Sequence, residues 1–331
     1  MQELISIIMP VYNTGDILVD TVNSIKNQTF KNFELIIIDD GSEKETANLC
    51  DSLSNSDDRI RVIHKKNEGA CAARNLGIKE AKGKFITFCD HDDTYDTRLL
   101  DEEVRLINTK NCFDLAIVGA LHIYDDNKEI RFGENIAVYN KKQLEKNIPK
   151  IISSGILGTV WNVLYRRELI GETRFNEKLK KGHEDIIFNI EIIQKAKSLI
   201  ATKQCFYNHY IRKSMSTSAA FHPETIEGLK IANNIIYKMC IDLYEKINKL
   251  DYINLQGEYI RTYATYLLHL GYSYSEFKNQ LSELKYIPEK FGLIQLIKCR
   301  NKNTLCFYCL KNNNVTVLYF LILLNTYLKG R

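Results

Sequence analysis

Residues Gly83–Tyr95 read Gly-Lys-Phe-Ile-Thr-Phe-Cys-Asp-His-Asp-Asp-Thr-Tyr, and this stretch limits the possible folds more tightly than any other. Phe85, Ile86, Phe88 and Cys89 make the continuous apolar run that a strand buried on both faces requires. The run then stops in Asp90, Asp92 and Asp93. Three carboxylates crowded at the end of a buried strand repel one another, so folding alone would not select them. A hard divalent cation relieves that repulsion, and an all-oxygen ligand set suits Mg²⁺ or Mn²⁺ shared with substrate phosphates. The plainer alternative is an acidic cap for a helix starting near Thr97. One Asp would serve that purpose, so the metal reading is preferred.

The rest of the N-terminal part alternates strand and helix with short connections. An apolar strand, Leu4–Val11, precedes a helical pattern over Asp16–Gln28, and a second strand, Glu34–Ile38, runs into Asp39-Asp40-Gly41-Ser42. A helix over Lys44–Leu53, a strand over Arg61–His64 and a helix from Asn67 to Ala81 come before the Asp-rich strand. This order predicts an α/β fold with a mostly parallel sheet covered by helices on both faces. Ligands of such sheets bind at the carboxyl ends of the strands. Tyr12, Asp39, Asp40, Asp90, Asp92 and Asp93 are all expected there. No Gly-x-Gly-x-x-Gly follows the first strand and no Walker-type Gly-Lys-Ser/Thr occurs, so a metal rather than a glycine loop would hold phosphates.

Further along, Asp114–Gly119 and Leu199–Tyr210 read as strands, and Ala120–Tyr139 as strand-like segments with a turn at Asp125-Asp126-Asn127. Ile186, Ile190 and Ile193 form one face of a helix opened by Glu184-Asp185. From Pro223 the texture becomes long helices, expected over Ile226–Leu250, Tyr252–Leu270 and Ser275–Lys285. We therefore expect two domains, 1–220 and 221–331.

A chain of 331 residues has room for both. A net charge of +4 and the lack of a nucleic-acid motif argue against DNA or RNA as partner. No secretory pattern precedes Leu4, and nine scattered cysteines suggest reduced thiols in the cytoplasm. Cys306-x-x-Cys309 with Cys299 lacks a fourth zinc ligand at fitting spacing, so buried thiols are expected there.

Ser6-Ile-Ile-Met-Pro-Val-Tyr-Asn13, Asp39-Asp-Gly-Ser42, Asn67-x-Gly69 with Ala73-Arg-Asn75, and Asp90-x-Asp-Asp93 stand in that order. Together they resemble the GT-A fold, family 2 inverting glycosyltransferases of the bacterial surface-glycan type. Trp161-Asn162, Glu184-Asp185 and Arg212-x-Ser214 extend the resemblance over about residues 4–216. It implies a metal-dependent, hexosyltransferase-type enzyme moving sugar from a nucleotide-diphosphate sugar, with UDP expected, to a glycan or lipid-linked acceptor in surface polysaccharide biosynthesis.

By the same resemblance, Pro10, Val11 and Tyr12 would line the base pocket, Asp40 would accept a base N–H, and Asp39 would support the turn. Asn67, Gly69 and Trp161 would belong to the donor site, and Arg74 would lie beside base and ribose. Asp90 would hold ribose and metal, Asp92 would be the main metal ligand, and Asp93 would orient sugar hydroxyls. Asp185 would be the catalytic base, Glu184 would reach acceptor or sugar hydroxyls, and Arg212 would meet the departing diphosphate. Ile211 replaces a basic residue usual in the family, which leaves open whether Lys213 substitutes. Each residue has a plainer reading: Tyr12 and Trp161 as core aromatics, Arg74 as a surface ion pair, Glu184-Asp185 as helix-start acids. His209 reads as a hydrogen-bonded or core histidine.

The rival functions are a sugar nucleotidyltransferase, which would want a basic loop after the first strand, and a scaffold with a decayed transferase domain. Residues 290–331 carry seven basic residues and no Asp or Glu, interleaved with aliphatic and aromatic side chains. That pattern suits a peripheral contact with the inner face of the cell membrane, and the alternative is packing or a homo-oligomer contact.

Overall fold

Ile5, Ile7, Met9 and Val11 on one face of the first strand, and Ile8 on the other, are all buried. Such a strand needs a cover on both sides, and the computed structural model shows how it is provided. The structure describes residues 3–109, 113–126, 128–179, 182–212, 223–284 and 301–329. These fall into two compact units. The first comprises Met1–Leu144, Ile156–Lys180 and Glu184–Ser216, and the second Glu145–Gly155, Lys181–His183 and Thr217–Arg331.

The first unit holds one sheet. Its strands are β1 (Ile5–Val11), β2 (Phe33–Asp39), β3 (Ile60–His64), β4 (Phe85–Phe88), β5 (Thr94–Tyr95), β6 (Leu115–Tyr124), β7 (Glu129–Phe132), β8 (Ile136–Val138), β9 (Val163–Arg166) and β10 (Leu199–Ile211). The order is β3-β2-β1-β4-β9-β6-β10-β5, with β7 on β6 and β8 on β10. β3, β2, β1 and β4 run parallel. β9 lies antiparallel between β4 and β6, and β10 returns parallel to β6. The sequence did not announce β9, because Val163–Arg166 is short and follows Trp161 without a turn residue. Tertiary pairing with β4 and β6 makes it a strand.

The helices are α1 (Ile17–Lys26), α2 (Lys44–Ser54), α3 (Ala70–Glu80), α4 (Leu99–Ile107), α5 (Lys141–Ser153), α6 (Arg167–Ile170) and α7 (Glu184–Lys195), then α8 (Pro223–Asp242), α9 (Lys249–His269), α10 (Tyr274–Ser282), α11 (Lys302–Lys311) and α12 (Val315–Lys329). Leu18, Val22 and Ile25 of α1, with Leu99, Leu100, Leu106 and Ile107 of α4, share a core with Ile5, Ile7 and Met9. On the opposite face α3 comes so close to β1 that a Cβ on Gly77 would run into the Ile8 side chain. Burying each such Leu or Ile contributes roughly 1.5–3 kcal/mol, so the two-sided pattern of β1 is a large part of what holds the unit together. The expected parallel, two-sided α/β arrangement is what the chain adopts.

In the second unit the expected helix over Ile226–Leu250 is two elements. α8 stops at Asp242, and Asn248 caps α9 by accepting from the backbone N–H groups of Leu250 and Asp251. That cap places Leu250 in the first turn of the next helix. α11 crosses α9 at Gly257, where any side chain would collide with the Asn303 backbone. Cys306 and Cys309 lie buried in α11, and burial pushes the Cys306 thiol up to about 12. Cys299, Lys285 and the segment 290–300 lie outside the described residues. Among the described residues no helix is long and apolar enough to cross a membrane.

Candidate active site

Because β1, β2 and β4 are parallel, their carboxyl ends open on one edge, and Tyr12, Asp40 and Asp90 follow them there. Tyr12 is 50% exposed, so it is not a core aromatic. Pro10 and Val11, by contrast, are buried within β1. The turn beyond is held by side chains. Ser42 Oγ accepts from Asn13 N–H at 3.0 Å, and Asn13 Oδ1 accepts from Glu43 N–H at 2.8 Å. Asp39 accepts from Ser42 N–H at 3.0 Å and pairs at 2.7 Å with His64 Nδ1, whose Nε2 lies 3.1 Å from Asp51. Burial works against the Asp39 charge, but the bonds from Ser42 and His64 hold its carboxyl below the usual range.

Asp40 does not present itself as a free acceptor. It is almost wholly buried, and its two oxygens receive Lys65 Nζ at 2.7 Å, Glu68 N–H at 3.0 Å and Gly69 N–H at 2.7 Å. This carboxylate ties the loop Lys65–Gly69 to the end of β2. Asn67 sits in that loop against Gly41, where φ is +75° and a Cβ would be 2.7 Å from Asn67 N. Gly69, at φ +97°, starts α3. Lys65 and His64, which help organise this edge, were missed by sequence reasoning. A Lys one residue beyond a strand gives no signal of its own.

The centre of the site is Arg74, on α3. It was expected beside base and ribose, or on the surface, and is instead 5% exposed between carboxylates. Its Nη2 donates to Asp90 at 3.1 Å, and its Nη1 donates to Asp185 at 3.2 Å and lies 3.5 Å from Glu184. The guanidinium also stands over the Phe175 ring at 5.4 Å. Burial pushes the Asp185 carboxyl up to about 7; Arg74 pulls against it, while Glu184 and Asp90 push the same way as burial. Among the described residues Glu184 Oε2 is buried without a hydrogen-bond partner. Glu184 and Asp185 open α7, where the helix macrodipole favours negative charge.

The Asp-rich strand end divides its labour. Arg212 Nη1 donates to Asp92 twice, to the backbone oxygen at 2.8 Å and to Oδ2 at 3.2 Å. Asp93 turns the other way and is fully buried. It accepts from Tyr207 O–H at 2.8 Å and Tyr210 N–H at 2.9 Å, and pairs with His209 Nδ1 at 3.1 Å. With its oxygens taken, Asp93 is not placed to orient a sugar. Trp161 is likewise core: it is 3% exposed and stacks on Tyr207 at 4.2 Å and on His209 at 5.3 Å. The cluster does not cap α4 either, since Arg98 occupies that position. Lys213 and Ser214 lie outside the described residues.

For a divalent cation, Asp90 Oδ2 and Asp92 Oδ1 are left without a protein donor among the described residues. No cluster of three or more His, Cys, Asp or Glu ligands forms among those residues. Two hard oxygens fit Mg²⁺ or Mn²⁺, ions that draw the rest of their shell from phosphates and water.

A family model described as "Glycosyl transferase family 2" matches residues 6–174, about half of the chain. The putative glycosyltransferase EpsH of Bacillus subtilis is 30% identical over 213 residues, which are 63% of this chain and 61% of that one. The share of a curated relative's length that the chain covers is 42% for one and falls as low as 18% for others, so the chain spans well under two thirds of several of them. TarS of S. aureus (residues 1–349), solved with UDP-GlcNAc, shares the fold with a TM-score of 0.57 at 16% identity, over 95% of this chain and 91% of that one. The mannosyltransferase PcManGT of Pyrobaculum calidifontis, solved with GDP-Man and Mn²⁺, does so with a TM-score of 0.56 at 11% identity, over 97% and 86%. The strand-end carboxylates, the GT-A fold around them and the matched family model lead to one conclusion: this chain belongs to glycosyltransferase family 2.

Proposed function

We propose that the chain transfers a hexosyl group from a nucleoside diphosphate sugar to a hydroxyl acceptor, with inversion at the anomeric carbon. The observation that carries this reading is Arg74, which holds Asp90 on one side and Asp185 on the other. A donor-side carboxylate and a base are thereby kept a fixed distance apart around one buried cation. The UDP-GlcNAc and GDP-Man in the two solved structures support a nucleoside diphosphate sugar as donor, and we take UDP as the carrier.

Tyr12 offers an exposed ring for the nucleobase, and the Asp39–Ser42–Asn13 bonds hold its turn in place. Asp90 and Asp92 would hold the cation, which when bound supplies charge neutralisation at the diphosphate. Arg212, released from Asp92, adds a charge-assisted contact to the departing oxygen. Asp185 removes the acceptor hydroxyl's proton while that oxygen bonds to the anomeric carbon and the carbon–phosphate oxygen bond breaks. A base with its pKa about 7 is matched to that task, a role worth roughly 10²–10⁴-fold. One displacement from the face opposite the diphosphate inverts the centre, so an α-donor yields a β-linkage. The described cysteines are all free thiols, which supports a reducing, cytoplasmic setting. The acceptor we propose is a glycan or lipid-linked glycan of surface polysaccharide assembly, a choice supported by the basic, apolar composition of residues 290–331.

The test is nucleotide release from a panel of UDP- and GDP-sugars with Mn²⁺, then product isolation with glycan acceptors and assignment of the new anomer by NMR. Release and an inverted product are expected. A retained anomer would overturn the mechanism, and silence across the whole panel would overturn the activity.

A further inference from the structure

At the amino end of β4 lies an open cavity of about 240 Å³, lined by Lys82, Lys84, Arg166, Arg167 and Glu168. All five side chains are charged, and four of them are cations. Phe85, the first residue of β4, pairs with Arg166 at the end of β9, whereas Asp90 lies beyond the carboxyl end of β4. The cavity and the strand-end acids therefore occupy opposite edges of the sheet. Both guanidiniums are held in position: Arg166 Nε donates to the Phe113 carbonyl at 2.8 Å, and Arg167 Nε donates to the Gly83 carbonyl at 2.7 Å. Among the described residues no hydrogen bond or ion pair takes their Nη groups or the Lys82 ammonium. Lys84 differs, since its ammonium meets Glu3.

Folding does not require this arrangement. Arg59, Arg61 and Arg105 of the same unit each meet a carboxylate. Arg166 is 8% exposed and meets none among the described residues; its guanidinium only stands over the Phe85 ring at 5.3 Å. A cation withdrawn from water costs free energy unless a partner of opposite sign is supplied. Glu168 and Glu3 are the acids at hand, two against four cations, so the cavity stays positive. A solvated basic face would account for the exposed Lys82 and Lys84, but not for an arginine buried this far. Two guanidinium forks beside two ammonium groups suit a phosphate, which accepts paired bonds from Arg and carries more than one charge. Among the described residues the lining has no aromatic or aliphatic side chain with which to hold a base or an acyl chain. We infer that Lys82, Lys84, Arg166 and Arg167 form a binding site for a phosphomonoester or diphosphate group, carried by a free anion or by a lipid headgroup.

The site is independent of the transfer chemistry and is tested with the donor site disabled. Pyrophosphate is titrated into the full chain by calorimetry in excess EDTA, so that no cation recruits it to Asp90 and Asp92. Saturable binding is expected, weakened at least about tenfold by Lys82→Gln with Arg167→Gln and unaltered by Asp92→Asn. Both substituted side chains are exposed, so the melting temperature and the rate of donor hydrolysis should stay at their wild-type values. Should the pair lower the melting temperature, Lys82→Gln with Lys84→Gln asks the same question. Flotation with phosphatidylcholine vesicles carrying phosphatidic acid, reversed by pyrophosphate, would uphold the site with a lipid headgroup as its source. Pyrophosphate binding without flotation would uphold it with a free anion. No saturable binding, equal binding by a folded variant, or loss of binding in Asp92→Asn would overturn the inference.

Discussion

Arg74 Nη1 donates to Asp185 Oδ1 at 3.2 Å, and the same guanidinium reaches Asp90 through its other nitrogen at 3.1 Å. A buried cation is thus shared by the acids that open α7 and the first acid of the Asp-rich run. Removing one partner of such a buried set leaves charge uncompensated, which costs about 3–5 kcal/mol. Arg74→Met should lower stability by that order in denaturant titrations and also abolish activity.

The pH profile follows from the same contact. Burial raises Asp185 to about 7, so its basic form, and with it kcat, should rise with pH and level off above that value. Glu184 pushes Asp185 upward, so Glu184→Gln should move the acid limb to lower pH. Asp185→Asn should lose roughly 10²–10⁴-fold in turnover while still binding donor in calorimetry. An acid limb that stays in place in Glu184→Gln would separate the limb from Asp185.

Asp92→Asn should remove most activity and weaken nucleoside diphosphate binding while the thermal melt stays near wild type, because Asp92 is a half-buried strand-end side chain. Excess chelator should reproduce the loss in the wild type, and added Mn²⁺ should restore it. Full activity in chelator would exclude the role assigned to Asp90 and Asp92.

Asp40→Ala should loosen the Lys65–Gly69 loop, since three donors lose their acceptor. Unsatisfied buried donors cost about 1–3 kcal/mol each, so the melting temperature should drop by several degrees. Donor KM should rise more than kcat falls. Equal melting temperatures would mean that the loop holds its place without the carboxylate.

Glu103 is wholly buried on α4 with neither carboxyl oxygen partnered among the described residues, and burial drives its pKa well above 4.5. A folded-state pKa above the unfolded one means that stability is full below the unfolded value and falls as pH rises toward the folded one. Glu103→Met should therefore be more stable than wild type at neutral pH. Its advantage should begin near pH 4.5 and grow by up to about 1.4 kcal/mol per pH unit until the folded pKa is reached. Urea titrations of both proteins across that range give the comparison. A constant difference would place the effect in packing and not in the proton.

By itself, the sequence determined the parallel sheet, the edge at which the ligand groups gather, and the identity of the acids there. Those properties live in local patterns: two-sided apolar runs such as Ile5–Val11, and carboxylates placed immediately after them. Only the tertiary structure decided which acids face the cleft and which serve the fold. Asp90, Asp92 and Asp93 are near neighbours in sequence, yet Asp93 turns to Tyr207 and His209 on β10, more than a hundred positions away. Arg74 was legible as a charged residue of α3, but its partner Asp185 lies 111 positions along the chain. Trp161 became core by stacking on Tyr207. Such contacts depend on which strands lie side by side, and that is set by the packing of the whole sheet rather than by spacing within any one segment.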